Sequence, residues 1–254
     1  MKSFKVKILL TIMLCICGNY VHAQDFDVIG LKLGMTVEEV HKVLKDYDVE
    51  SNIKEHRQYY NYSDGVEHFK TDDFVYYIDA IKRKENNDYL SIFFSPGPQG
   101  GRVVAVTRTL ENKAQPPTRG QYLSALKKKY GQPTSEDIST VHWDFPAGKI
   151  QCLVGAIGAY QPTHPSILKK IYSANVGSRD GIFHNSKVKS LSDCASYLTY
   201  SMPSGDNSPV TEARAIMVDV AGIANGELAA NEWVDGLAEQ ARKAREAKGE
   251  MPDL

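Results

Sequence analysis

Residues 31–40 read LKLGMTVEEV, and the layout of the first half of the chain follows from them. Leu31 and Leu33 form a short apolar lead and Gly34 a turn. Thr36 stands where a helix N-cap belongs, with Glu39 three residues on. A threonine hydroxyl accepts the N–H of the third helical residue, and a glutamate at that position reaches back to the cap, so the pair predicts a capping box. Val37, Val40, Val43 and Leu44 then recur at helical spacing. A helix over about 37–45 is expected, and so short a helix needs its apolar stripe packed to persist.

Strand patterns follow. EHRQYYNY (55–62) ends at the turn residues Ser63-Asp64-Gly65. FVYYIDAIKRK (74–84) alternates, which places Phe74, Tyr76, Ile78 and Ala80 on one face and sends Tyr76 and Tyr77 to opposite faces. Glu85 and Asp88 fall in a hairpin turn, YLSIFF (89–94) resumes as a strand, and SPGPQGG (95–101) turns the chain. RVVAVTRTL (102–110), rich in β-branched residues, is the next strand. One helix followed by a four-stranded antiparallel meander makes a complete two-layer unit.

The second half repeats that order. Pro116-Pro117 is a linker, Thr118 a cap, and Tyr122, Leu123, Ala125, Leu126 and Tyr130 a helical stripe closed by Gly131 and Pro133. TVHWDF (140–145), KIQCLV (149–154), CASYLTYSM (194–202) and EARAIMVDV (212–220) read as four strands. Residues 155–193 are an insertion rich in Gly, Pro, Ser and Asn, and an Ala-, Glu- and Lys-rich helix is expected from Glu227 to about Lys248, docking through Leu228, Trp233, Val234 and Leu237. The expected fold is therefore α+β: two tandem two-layer units, each a short helix on a four-stranded antiparallel sheet, plus a C-terminal helix. The first unit covers 24–115, the second 116–220, and the helix and tail 221–254.

The first 23 residues carry three lysines, an apolar run from Ile8 to Cys17 and the small-residue end Val21-His22-Ala23, the pattern of a secretory signal peptide. Cleavage after Ala23 places the chain in the periplasm or outside the cell. Loss of three lysines and no acid turns the formal charge of −1 into −4, which argues against a nucleic-acid partner. No later segment is apolar enough to cross a membrane. Only Cys152 and Cys194 then remain. In an oxidising compartment a disulfide between them is expected, closing the base of the insertion.

The stretch IGLKLGMTVEEVHKVLK (29–45) resembles the opening of small exported bacterial modules of the SmpA/OmlA type, and of the tandem units of β-lactamase inhibitory proteins. In both, a glycine turn and a threonine lead into a short helix followed by an antiparallel sheet. ALKKKYGQP (125–133) and HWDF (142–145) are similar in outline. The resemblance implies a module that binds proteins and does not catalyse, a fold-level analogy.

Residue chemistry narrows the field further. There is no GxSxG nucleophile motif, and PGPQGG lacks the lysine of a phosphate loop. The histidines are scattered, so neither a metal site nor a cofactor is expected. His142 and Asp144, two apart in a strand, are the candidate catalytic pair; alternation alone also places them on a solvent face opposite Val141, Trp143 and Phe145. The first sheet is dense in tyrosine, and Tyr60, Tyr62, Tyr77 and Tyr89 are the candidate binding residues, since tyrosine offers large area with a polar tip. The expected function is recognition or inhibition of an envelope or secreted protein. The alternatives are a periplasmic hydrolase using His142, or a binder of a small ligand or glycan.

Overall fold

The computed structural model describes residues 26–47, 53–83, 86–98, 100–112, 114–152 and 190–247. The expected signal peptide (1–23), Glu85 and the expected insertion up to residue 189 lie outside the described residues.

Helix α1 (Val37–Asp46) begins at Thr36, whose hydroxyl accepts the Glu39 N–H while the Glu39 carboxylate accepts the Thr36 N–H. Helix α2 (Arg119–Tyr130) has the same device, with Thr118 and Gln121 reciprocating, and Gly131 ends it in the left-handed region at φ 73°. Eight strands form one antiparallel sheet in the order β1 (Ile53–Gln58), β4 (Phe74–Arg83), β5 (Asn87–Phe94), β6 (Val103–Glu111), β10 (Glu212–Val218), β9 (Ser196–Ser201), β8 (Thr140–Phe145), β7 (Ser135–Glu136). The strands of the two halves thus join into a single sheet. Each half runs inward from its own edge, and its last strand meets the other's at the centre, where seven residue pairs run from Glu212–Glu111 to Val218–Ala105.

Several local expectations change. EHRQYYNY is broken after Gln58: β1 stays in the sheet, while β2 (Asn61–Ser63) pairs with β3 (His68–Lys70) in a separate hairpin. Lys149–Gln151 does not become a strand, since Ile150 makes one parallel bridge to Cys194, and the outer strand of the second half is the two-residue β7. Asp88 belongs to β5 and not to a turn. Strict alternation also fails in β4. The register slips between His56, paired with Tyr77, and Arg57, paired with Val75. The extra residue, Tyr76, is a β-bulge that resets the faces. Val75 joins Ile78 and Ala80 in the main core. Tyr76 and Tyr77 share the other face, with ring centroids 5.8 Å apart.

Helices α1 and α2 cover one face of the sheet. Val40, Leu44, Leu123, Leu126 and Tyr130 pack there against Ile78, Leu90, Ile92, Val106, Trp143, Leu198 and Met217. Helix α3 (Val220–Glu246) lies on the other face, making a third layer, and it starts seven residues earlier than expected because Asp219 caps it through the Gly222 N–H. Its buried residues are Val220, Ile223, Ala224, Gly226 and Ala230, whereas Leu228 is exposed. Those near its start pack against Phe93, Val104, Ala105, Tyr197 and the cysteines. Beyond the sheet the helix meets the hairpin, where the Arg245 Nε lies 3.2 Å from Asp64 Oδ2.

Cys152 and Cys194 form a disulfide, with Cα atoms 5.3 Å apart and a sequence separation of 42. Both are buried under α3. Closing a loop of that length restricts the unfolded chain by about 4 kcal/mol on the loop-entropy estimate. The double change Cys152→Ser and Cys194→Ser is expected to lower unfolding stability by a comparable amount in denaturant titration. An unchanged midpoint would show that the loop is restrained by other contacts.

Candidate functional site

The helix-covered face contains a charge pair among apolar residues. Asp88 on β5 and Arg108 on β6 point into this face with Leu90, Ile92 and Val106. The Asp88 side chain is 2 % exposed. Arg108 donates from Nε to both carboxylate oxygens (3.0 and 3.1 Å) and from Nη2 to Oδ2 (2.7 Å). Tyr47, just after α1, donates to the same carboxylate at 2.5 Å and accepts from Arg108 Nη2 at 3.2 Å. Burial works against the guanidinium charge, but the hydrogen bonds and charge of Asp88 outweigh it and raise the Arg108 pKa. Burial first, and then the bond to Asp88, push Tyr47 up to about 12. From the sequence Asp88 is expected in a hairpin turn, and Arg108 is not singled out. The available signal was their parity: each shares the core-facing alternation of its strand, with opposite charges on neighbouring strands.

His142 and Asp144 come together as expected, but in a different setting. His142 is 3 % exposed, so it is not on a solvent face. After β8 the chain turns at 146–148 and returns over this side of the sheet, bringing the Gln151 carboxamide within 3.2 Å of His142 Nε2. The imidazole lies 2.9 Å from Thr199 Oγ1 through Nδ1 and 2.7 Å from Asp144 Oδ1 through Nε2. With the proton on Nε2, that N–H donates to the Asp144 carboxylate and Nδ1 accepts from the Thr199 hydroxyl. The order hydroxyl–imidazole–carboxylate has the outline of a nucleophile, base and orienter. Thr199, however, is only 2 % exposed and sits on the strand directly paired with His142. Beside them the Tyr197 hydroxyl is buried without a hydrogen-bond partner among the described residues, and burial raises its pKa.

The four expected binding tyrosines separate into two pairs. Tyr60 and Tyr62 lie at the hairpin, Tyr60 tilted against Phe74 and Tyr62 stacked on Phe69 at 5.3 Å. Burial, then the Glu227 charge on α3, raises the Tyr60 pKa. Tyr77 and Tyr89 lie on the α3 side of the sheet. Tyr77 stacks on His56 with centroids 3.9 Å apart, and the Asp79 carboxylate accepts the Ser91 hydroxyl at 2.6 Å. Farther along, Ile81 pairs with Tyr89, and Tyr89 with Thr109. Asp79, Ile81, Tyr89, Ser91, Thr107, Thr109 and Ile216 are half-buried and Arg214 is exposed. Among the described residues no group of three or more His, Cys, Asp or Glu is arranged to hold a metal, and no helix is long and apolar enough to cross a membrane.

Comparison with models of known protein families, with curated proteins and with solved structures finds no match.

Two outcomes follow from the charge pair and the buried phenols. Asp88→Ala strands the Arg108 charge and is expected to cost about 3–5 kcal/mol, most of it recovered when Arg108→Met is added. If the double variant is no more stable than the single one, the pair does not act as a unit. Tyr47, Tyr76, Tyr122 and Tyr130 all move from an ordinary value of 10.0 to about 12, chiefly through burial. The folded state therefore holds these protons more tightly than the unfolded state. The stability this contributes is complete below pH 10 and is lost as pH rises through about 12. Urea midpoints followed with phenolate absorbance should fall together across that window, and a flat profile would contradict the assignment.

Proposed function

We propose that this chain is an exported, non-catalytic binding module that recognises an envelope or secreted protein through the α3-side face of its sheet. The observation that carries this reading is the strip of half-buried aromatic and aliphatic side chains Tyr77, Ile81, Tyr89 and Ile216, with Ser91, Thr107 and Thr109 between them, on hydrogen-bonded antiparallel strands. Side chains on paired strands are held in register, so a partner meets a preorganised surface and less ordering entropy is lost on binding. Tyrosine and aliphatic groups with small hydroxyls between them have the composition of an interface core with a polar rim. The disulfide and the absence of a membrane-crossing helix among the described residues are compatible with export.

The tandem reading gains support from the same geometry. Both halves open with a threonine capping box and a short helix, and their strands occupy mirrored places about β6 and β10. We take them as two related units fused through their last strands, in keeping with the resemblance to tandem inhibitory modules. The hydrolase alternative draws little from His142. Its hydroxyl partner Thr199 is sealed in the sheet, and its hydrogen bonds are those of a buried polar group that has been satisfied.

The test is capture from envelope and secreted fractions with the purified protein and with an Ile81→Ala, Tyr89→Ala variant of equal thermal stability. A retained protein whose affinity falls at least tenfold in the variant, with hydrogen-exchange protection on β4 and β5, is the expected result. Equal retention by the variant, or protection confined to α1 and α2, would sink the assignment of this face. Hydrolytic turnover lost in His142→Gln would sink the non-catalytic reading.

A further inference from the structure

The helix-covered side of the sheet, away from the surface proposed above, holds a cavity of about 240 Å³ between α2 and the centre of the sheet. Arg108, Lys129, Tyr122 and Tyr200 are among its polar lining, and Ile29, Ala125 and Leu126 form its apolar part. We propose that this cavity binds a small organic monocarboxylate, with the carboxylate held by Arg108 and Tyr122 and a short apolar or single-ring body against Ile29 and Leu126.

The donors carry the assignment. Arg108 commits Nε and Nη2 to Asp88 and Tyr47, and its Nη1 makes no hydrogen bond among the described residues. Arg108 lines the cavity and its side chain keeps 15 % exposure, so this nitrogen is the guanidinium donor left for a ligand there. A guanidinium locked on one edge is a positioned donor, because its plane is set before any ligand arrives. Among the described residues the Tyr122 hydroxyl has no hydrogen-bond partner, and the Tyr200 hydroxyl has one, the Tyr130 hydroxyl at 3.3 Å.

The rim is also built with some strain. Ile29, a β-branched residue, adopts φ 53° in the tight turn between Val28 and Leu31, whose N–H and C=O groups bond reciprocally. A positive φ is disfavoured for such a side chain and persists only where surrounding contacts impose it. Those contacts are specific. Asp27 accepts the Gly30 N–H at 2.6 Å, its backbone carbonyl accepts the Tyr130 hydroxyl at 2.6 Å, and Lys129 binds its carboxylate at 2.9 Å. The end of α2 thus holds the turn in place, with Ile29 against the cavity.

Charge and size select the ligand class. Arg108 is already matched by Asp88 and Lys129 by Asp27, so a singly charged carboxylate fits better than a doubly charged phosphate. The volume is below the roughly 300–1,000 Å³ of sites for drug-sized ligands.

The test titrates the purified protein with benzoate, benzamide and inorganic phosphate, followed by NMR signals of Tyr122 and Tyr200. Saturable benzoate binding is expected, with the neutral benzamide at least tenfold weaker. Tyr122→Phe removes one hydroxyl and should weaken benzoate about tenfold, as expected for a hydrogen bond to a charged group. Ala125→Trp places a ring at an exposed helix position over the cavity mouth and should abolish binding while the fold stays intact. Equal affinity for benzamide, preference for phosphate, binding untouched by Ala125→Trp, or no saturable benzoate binding would each overturn the proposal.

Discussion

The antiparallel pairing of β6 with β10 is the constraint from which the rest of the molecule is built. Each half ends in a strand whose outer edge would otherwise expose unpaired N–H and C=O groups, and joining these two edges satisfies both at once. The joint makes β6 and β10 interior strands. It also brings α1 and α2 onto one continuous face, where their apolar stripes share a core. Because β10 sits at the centre, α3 leaves from the middle of the sheet and crosses the opposite face towards the hairpin near the far edge.

Burial on the helix-covered face has a polar cost that is met locally. Arg108 lies on the central strand β6 where only apolar groups would be expected, and it is tolerated because Asp88 on the neighbouring strand and Tyr47 after α1 complete its hydrogen bonds. Such a buried pair adds little net stability compared with apolar replacements, but removing one partner is expensive. Its place at the edge of the cavity suits the donor role proposed for Arg108. The His142 network on the other face is a contrasting case. Its groups satisfy one another on paired strands, and the Gln151 segment that returns after β8 closes over them.

The two faces thus divide the possible work. The helix-covered face holds a small cavity with fixed donors. The α3 side presents tyrosine and aliphatic side chains in strand register, bounded by α3 and by the Cys152–Cys194 disulfide.

Local signals determined much of this protein from the sequence alone. The two helices were legible in Thr36, Thr118, Gly131 and the apolar spacing, because capping and periodicity are properties of a few neighbouring residues. The disulfide was legible because only two cysteines follow the leader-like segment. Strand existence was mostly legible, but face and partner were not. One bulge at Tyr76 reversed the alternation in β4, and a break after Gln58 moved Tyr60 and Tyr62 off the main sheet. The burial of His142 was decided by a segment that folds back after β8, and the pairing of Asp88 with Arg108 by the register of β5 against β6. The joining of two halves into one sheet had no local signature at all. It depends on which edges meet, a long-range choice that only the tertiary structure makes.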